Sequence, residues 1–196
     1  MQEHRPRRHD FITIVSGLPR SGTSMMMQML EAGGVPVLTD NLREADTDNP
    51  RGYYEFEPVK QVARDVSWLA DAHGKATKMV YQLLYELPPN YSYRVILMER
   101  DLREVVASQN AMLARQGKGQ GDLADDALIG VFRRHLDDVT RWLERQPNFR
   151  TLRVSYNDVL ADPASAVRRV DGFLDGGLDT AAMSNALDVS LYRQRR

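Results

Sequence analysis

Residues Phe11 to Leu30, FITIVSGLPRSGTSMMMQML, decide how this chain folds. The apolar, β-branched run Phe11 to Val15 reads as a strand. It breaks into Gly17-Leu18-Pro19-Arg20-Ser21-Gly22-Thr23-Ser24 and resumes as a Met-rich helical segment. Strand, glycine loop and helix in that order make an anion receptor. Gly17 and Gly22 allow backbone conformations closed to residues with a Cβ, so successive N–H groups turn inward around a phosphate-sized oxyanion. The helix behind the loop adds its unbonded first-turn amides and the positive end of its dipole. The dipole contributes only about 0.3–1 kcal/mol, so other donors are needed. Arg20, Ser21, Thr23 and Ser24 are the expected ones.

The commonest loop of this kind is G-x-x-x-x-G-K-[ST], whose lysine reaches the outer phosphates and whose hydroxyl binds magnesium. Gly17 and Gly22 fit that pattern, but Thr23 stands where the lysine belongs, and the nearby cation is Arg20, before the second glycine. A loop with its cation there resembles the 5′-phosphosulfate loop of sulfotransferases that use 3′-phosphoadenosine 5′-phosphosulfate (PAPS), written P-[KR]-S-G-T-[ST]. Pro19 to Ser24 matches it at every position.

At 196 residues the chain is expected to be one domain able to bury a core without staples. Net charge −1 with 27% charged residues argues against a general nucleic-acid binder. The absence of cysteine excludes a disulfide framework, a thiolate metal site and a cysteine nucleophile. Met1 to Asp10 is polar and basic and is expected to be disordered. The apolar run after it is too short for a signal peptide or membrane span, so the protein is expected to be soluble and cytoplasmic.

Along the chain, Met26, Met29 and Leu30 share a helical face that ends at Gly33-Gly34. Thr39 to Phe56 reads as a long loop. From Pro58 the spacing of Val59, Val62, Val66, Leu69 and Ala70 predicts a helix running to Gly74. Thr77 to Tyr81, Tyr93 to Met98 and Thr151 to Ser155 read as strands. Asp101 is an expected N-cap for a helix ending near Arg115, and residues 115–122 form an expected mobile glycine-rich loop. A long helix carried by Leu128, Phe132, Leu136, Val139 and Leu143 follows, with His135 on its polar side. Tyr156-Asn157-Asp158 reads as a turn, and Pro163 to Leu174 as another helix. Strands alternating with helices predict an α/β fold of the P-loop type, three layers α/β/α around a mostly parallel sheet of about four to five strands.

Ligands of such sheets sit outside the carboxyl ends of the strands. Arg100 lies at one such end, and Ser108 follows eight residues later, about two helical turns on. A guanidinium plus a hydroxyl suits a second phosphate. The pair resembles the sulfotransferases' 3′-phosphate motif. The segment Val154 to Pro163, with Gly172-Phe173-Leu174 after it, looks like the family's "RYEDL…DP" and "FLG" stretches, so the resemblance runs from about Phe11 to Leu174. It implies a PAPS-dependent sulfotransferase, a bacterial-type short member, with PAPS as co-substrate, no metal, no nucleic-acid partner, and a small-molecule, glycan or lipid acceptor. It implies that Gly17, Pro19, Arg20, Ser21, Gly22, Thr23, Ser24, Arg100 and Ser108 hold the nucleotide. Arg20 and Lys78 would stabilise the transferring group. The histidine base of the family's T-H-L-P segment is missing here, where Tyr81 stands near its place, and the C-terminal R-K-G-x-x-G-x-W element is absent. Arg193, Arg195 and Arg196 are its possible substitutes. Glu55 in Arg51-Gly52-Tyr53-Tyr54-Glu55 is the chosen base, by likeness to glycan and tyrosyl-protein sulfotransferases, ahead of His73 or Tyr81. Alternatives are a P-loop kinase or NTPase, which needs a Walker lysine and a magnesium-holding Asp after an apolar strand and finds only part of this in Glu99-Arg100-Asp101 after Met98, and a non-catalytic nucleotide-binding module.

Overall fold

A computed structural model describes residues 10–40, 52–117 and 124–187. Residues 1–9 of the segment expected to be disordered at 1–10, residues 118–122 of the mobile loop expected at 115–122, residues 41–51 of the long loop expected from Thr39 to Phe56, and the arginines at 193, 195 and 196 lie outside the described residues. Among the described residues four strands form one parallel sheet: β1 (Ile12–Gly17), β2 (Ala76–Lys78), β3 (Tyr93–Glu99) and β4 (Phe149–Ser155), in spatial order β2-β1-β3-β4. Every residue of β1 is buried, as a central parallel strand covered on both faces requires. The edges are blunted. Only three residues make up β2, and β4 carries Arg150 and Arg153 outward.

Among the described residues six α-helices cover the sheet or its helical layer: α1 (Thr23–Ala32), α2 (Leu102–Arg115), α3 (Asp125–Leu143), α4 (Tyr156–Ala161), α5 (Pro163–Phe173) and α6 (Thr180–Asn185), the last resting on α1 and α5. Ile12, Ile14, Val95 and Leu97 point to one face, under Val105 of α2 and Val139 and Leu143 of α3. Val15, Ile96 and Met98 point to the other, under Met26, Met29 and Leu30 of α1 and Val167 and Val170 of α5. The three-layer α/β/α reading and the Met face of α1 are therefore correct.

Three segments differ from expectation. The helix expected from Pro58 to Gly74 is instead two 3-10 turns, Glu57–Gln61 and Ser67–Asp71. The Asp65 carboxylate accepts from the Ser67 amide at 2.9 Å, and this local bond restarts the chain in a new direction. Val66 is then left partly exposed, and Trp68 swings in to meet Phe56 edge-to-face at 5.8 Å. β2 stops at Lys78 rather than Tyr81, because Tyr81–Glu86 winds into a further 3-10 turn. The expected turn at Tyr156 is the start of α4, capped by the Ser155 hydroxyl, which accepts from the Asp158 amide at 3.1 Å.

The connection from β1 to β2 runs one way along the sheet, and that from β2 to β3 returns past β1 to its other side. The switch point therefore lies between the carboxyl ends of β1 and β3. Gly17 pairs with Met98 there, so the glycine loop and Arg100 leave the sheet side by side.

Candidate active site

The loop Leu18 to Gly22 is shaped by close approach. A Cβ on Gly17 would stand 2.5 Å from the Met98 carbonyl oxygen, so only glycine lets the loop leave β1 this close to β3. Gly22, with φ +97°, caps α1, and a Cβ there would stand 2.4 Å from Cδ2 of Tyr156. Arg20 also takes a positive φ, 71°. The Ser21 hydroxyl, in a residue 1% exposed, donates to the Leu18 carbonyl at 2.7 Å and thus braces the loop from within. Thr23 and Ser24 lie half-buried in the first turn of α1, which has no side-chain cap on its amides. Pro19 is exposed on the outer rim.

Arg100 and Ser108 meet this loop. Arg20 Nε donates to Ser108 Oγ at 3.0 Å, and Arg100 Nη1 donates to the Arg20 carbonyl at 3.2 Å. The guanidinium of Arg100 lies over the Tyr156 ring, 4.5 Å from its centroid. Its Nε donates to Glu104 Oε2 at 2.9 Å, a buried ion pair, and the Asn157 amide donates to both Glu104 oxygens at 3.3 Å. Burial raises the Tyr156 phenol above its ordinary pKa, against the opposing pull of Arg100 and Arg20, so the ring stays neutral under the two cations. Tyr156, Glu104 and Asn157 are absent from the sequence-derived set. The Arg100–Glu104 spacing of one helical turn was the available signal, whereas nothing local announces that Tyr156 underlies Gly22. Asp101 is occupied as the α2 cap, accepting from the amides of Arg103 and Glu104 at 2.9 and 3.2 Å.

Lys78 and Glu55 belong to a second cluster at the β2 edge. Lys78 Nζ donates to the Tyr53 carbonyl and stands 5.9 Å from that ring's centroid, joining β2 to the segment 52–57. Glu55 Oε2 lies 3.3 Å from Lys60 Nζ, which also pairs with Glu57 at 2.7 Å. The Lys60 ammonium is held above its ordinary pKa, by Glu57 first and Glu55 after it. Backbone bonds fix Glu55 in turn: its carbonyl accepts from Thr39 Oγ1 and from the Asp40 amide, each at 3.1 Å. Tyr53 and Tyr81 are buried, while Tyr85 is 41% exposed and meets Trp142 edge-on at 4.8 Å. Tyr81 shares a hydrogen bond of 2.6 Å with His135 Nδ1, so His135, though exposed, is tied to the layer beneath. His73 lies against the Tyr91 ring, centroids 5.6 Å apart. Among the described residues no cluster of His, Asp and Glu could hold a metal, and no helix is long and apolar enough to cross a membrane.

A strand, a glycine loop bearing its cation before the second glycine, and an arginine at the neighbouring strand end define a sulfotransferase-type P-loop protein. The chain belongs to the sulfotransferase domain family, which matches residues 11–193. In fold it is similar to the sulfotransferase domain of the Synechococcus PCC 7002 olefin synthase (TM-score 0.57, 16% identity, 98% of this chain and 83% of that one). It is also similar to a mouse sulfotransferase, SULT7A1, complexed with PAP (TM-score 0.56, 16% identity, 97% and 67%), and to a retinol dehydratase in complex with retinol and PAP (TM-score 0.55, 17% identity, 94% and 67%). No curated protein matches the sequence.

Proposed function

We propose that the protein transfers a sulfuryl group from PAPS to a hydroxyl or amine of its acceptor. The observation that carries this reading is the junction of two cationic anchors, Arg20 on Ser108 at 3.0 Å and Arg100 on the Arg20 carbonyl at 3.2 Å, at the switch point of a parallel sheet. Two adjoining anion receptors fit a nucleotide with a 5′ and a 3′ phosphate. Family membership, and PAP in two of the similar structures, support the same reading.

In this reading Gly17 and Pro19 to Ser24 surround the 5′-phosphosulfate, and Arg100 with Ser108 receives the 3′-phosphate. The acceptor oxygen or nitrogen attacks sulfur in line, and the bond from sulfur to the bridging oxygen breaks with its electron pair passing to that oxygen. The bisphosphate leaves, and the acceptor's proton goes to the Glu55 carboxylate. Arg20 stabilises charge growing on the bridging oxygen, and Lys78, after exchanging its Tyr53 carbonyl, holds the sulfuryl oxygens. The segments lining the acceptor side carry Tyr53, Tyr54, Phe56, Tyr81 and Tyr85, which favour a partly apolar acceptor.

Calorimetry with 3′-phosphoadenosine 5′-phosphate, ATP and GTP, with and without magnesium, tests the nucleotide. Metal-independent preference for the bisphosphate is expected, and preference for ATP with magnesium would sink the reading. For the chemistry, Arg20→Ala and Glu55→Gln are each expected to slow sulfate transfer by about 10²-fold or more. Unchanged turnover in either variant removes that residue from the mechanism.

A further inference from the structure

We propose that Glu104 is the positioning residue of the 3′-phosphate half-site. By orienting Arg100 it sets how strongly a 3′-phosphate is told apart from a 3′-hydroxyl. The inference rests on the sulfotransferase reading above and deepens it.

Glu104 is 5% exposed in the first turn of α2, and a carboxylate is buried that deeply only when charge and hydrogen bonds compensate it. Its partners lie on two other segments. Arg100, at the end of β3, donates Nε to Oε2 at 2.9 Å, and Asn157 of α4 donates to both oxygens at 3.3 Å. Asn157 itself is anchored, since its Oδ1 accepts from the Asp101 amide at 3.4 Å. The guanidinium is thus gripped at Nε by the carboxylate, at Nη1 by the Arg20 carbonyl, and on one face by the Tyr156 ring. Contacts on two edges and one face set both its plane and its rotation about that plane's normal. An arginine fixed this way gives up little rotamer freedom when a phosphate arrives, which is how preorganisation raises affinity.

The same carboxylate is also a negative charge beside an anion site, and this second effect has the opposite sign. If repulsion dominated, neutralising Glu104 would tighten bisphosphate binding. If positioning dominates, neutralising it weakens binding, and only for ligands that carry the 3′-phosphate. The burial and the three-element bonding favour positioning.

Calorimetric titration of the full chain with 3′-phosphoadenosine 5′-phosphate and with adenosine 5′-phosphate decides between them. The wild type is expected to prefer the bisphosphate. Glu104→Ala is expected to lose roughly tenfold or more of its bisphosphate affinity while adenosine 5′-phosphate changes by less than about twofold. Glu104→Gln, which keeps an acceptor for Arg100 Nε, should fall between. Once Arg100 is alanine, adding Glu104→Ala should leave the ratio of the two affinities unchanged. Both ligands are titrated into one preparation, so loss of folded protein lowers stoichiometry without touching that ratio. Equal losses for the two nucleotides, or tighter bisphosphate binding by Glu104→Gln, overturn the proposal. Full discrimination in the wild type and in both single variants overturns the role of Glu104 alone. A wild type that fails to discriminate overturns the two-phosphate reading and this inference together.

Discussion

Gly22 is the residue at which backbone and side-chain demands coincide. Its φ of +97° excludes most side chains, and the Tyr156 ring occupies the space a Cβ would need, 2.4 Å away. Gly22→Ala is therefore expected to destabilise the fold by about 1–3 kcal/mol, the usual cost of overpacking with strain, and to abolish nucleotide binding. Denaturant melts and calorimetry on one preparation check both. Normal affinity in the variant would mean that the loop tolerates a shift of Tyr156. Gly17, Gly22, Arg20 and Arg100 were legible in the sequence, because a glycine loop and a strand-end arginine carry their chemistry in residue type and order. Tyr156 and Asn157 were not. They are distant in sequence from Gly22 and Glu104, and only the parallel pairing of β4 beside β3 brings them there. At Ser21 only the folded loop shows where the hydroxyl points, which is to the Leu18 carbonyl at 2.7 Å.

Among the elements, α2 does the most to position the site, since it carries both Glu104 and Ser108 and starts one residue after Arg100's neighbour Asp101. Asp101 accepts two first-turn amides, so Asp101→Ala is expected to cost about 0.5–2 kcal/mol. Urea unfolding measures it. Because fraying α2 would also loosen Glu104, bisphosphate affinity should fall as well; a loss of stability with affinity intact would show that Glu104 keeps its hold on Arg100 without the cap. This cap was readable from the sequence, as an Asp directly before an apolar-periodic run. The stretch from Pro58 to Gly74 was not readable in the same way. Helical spacing of valines is compatible with two short 3-10 turns, and the choice between them was made by the Asp65–Ser67 bond and by Trp68 seeking Phe56.

At the scale of the whole molecule, titration of buried and partly covered phenols shapes the alkaline limit of stability. Burial raises the pKa of Tyr93, Tyr156, Tyr81 and Tyr85 above the ordinary phenol value. Each therefore binds its proton more tightly folded than unfolded. Their contribution is fully present below about pH 10, the unfolded phenol value, and is lost as pH rises through the higher folded values. Thermal midpoints are expected to hold from pH 8 to about 9.5 and then fall steeply. Tyr93→Phe, which also gives up a 3.0 Å bond to the Pro88 carbonyl, should flatten that fall while lowering the midpoint at pH 8. An unchanged alkaline slope would remove Tyr93 as a cause. The sequence by itself determined the layered α/β class, the order of strand, glycine loop and helix, and the arginine at the end of β3, because periodicity, glycine placement and strand-end charge are local signals. The tertiary structure alone decided how the anchors are joined. Strand order β2-β1-β3-β4 sets Gly17 beside Met98, seats Arg100 on Tyr156, and closes Arg20 on Ser108, contacts between residues up to 88 apart that no local pattern encodes.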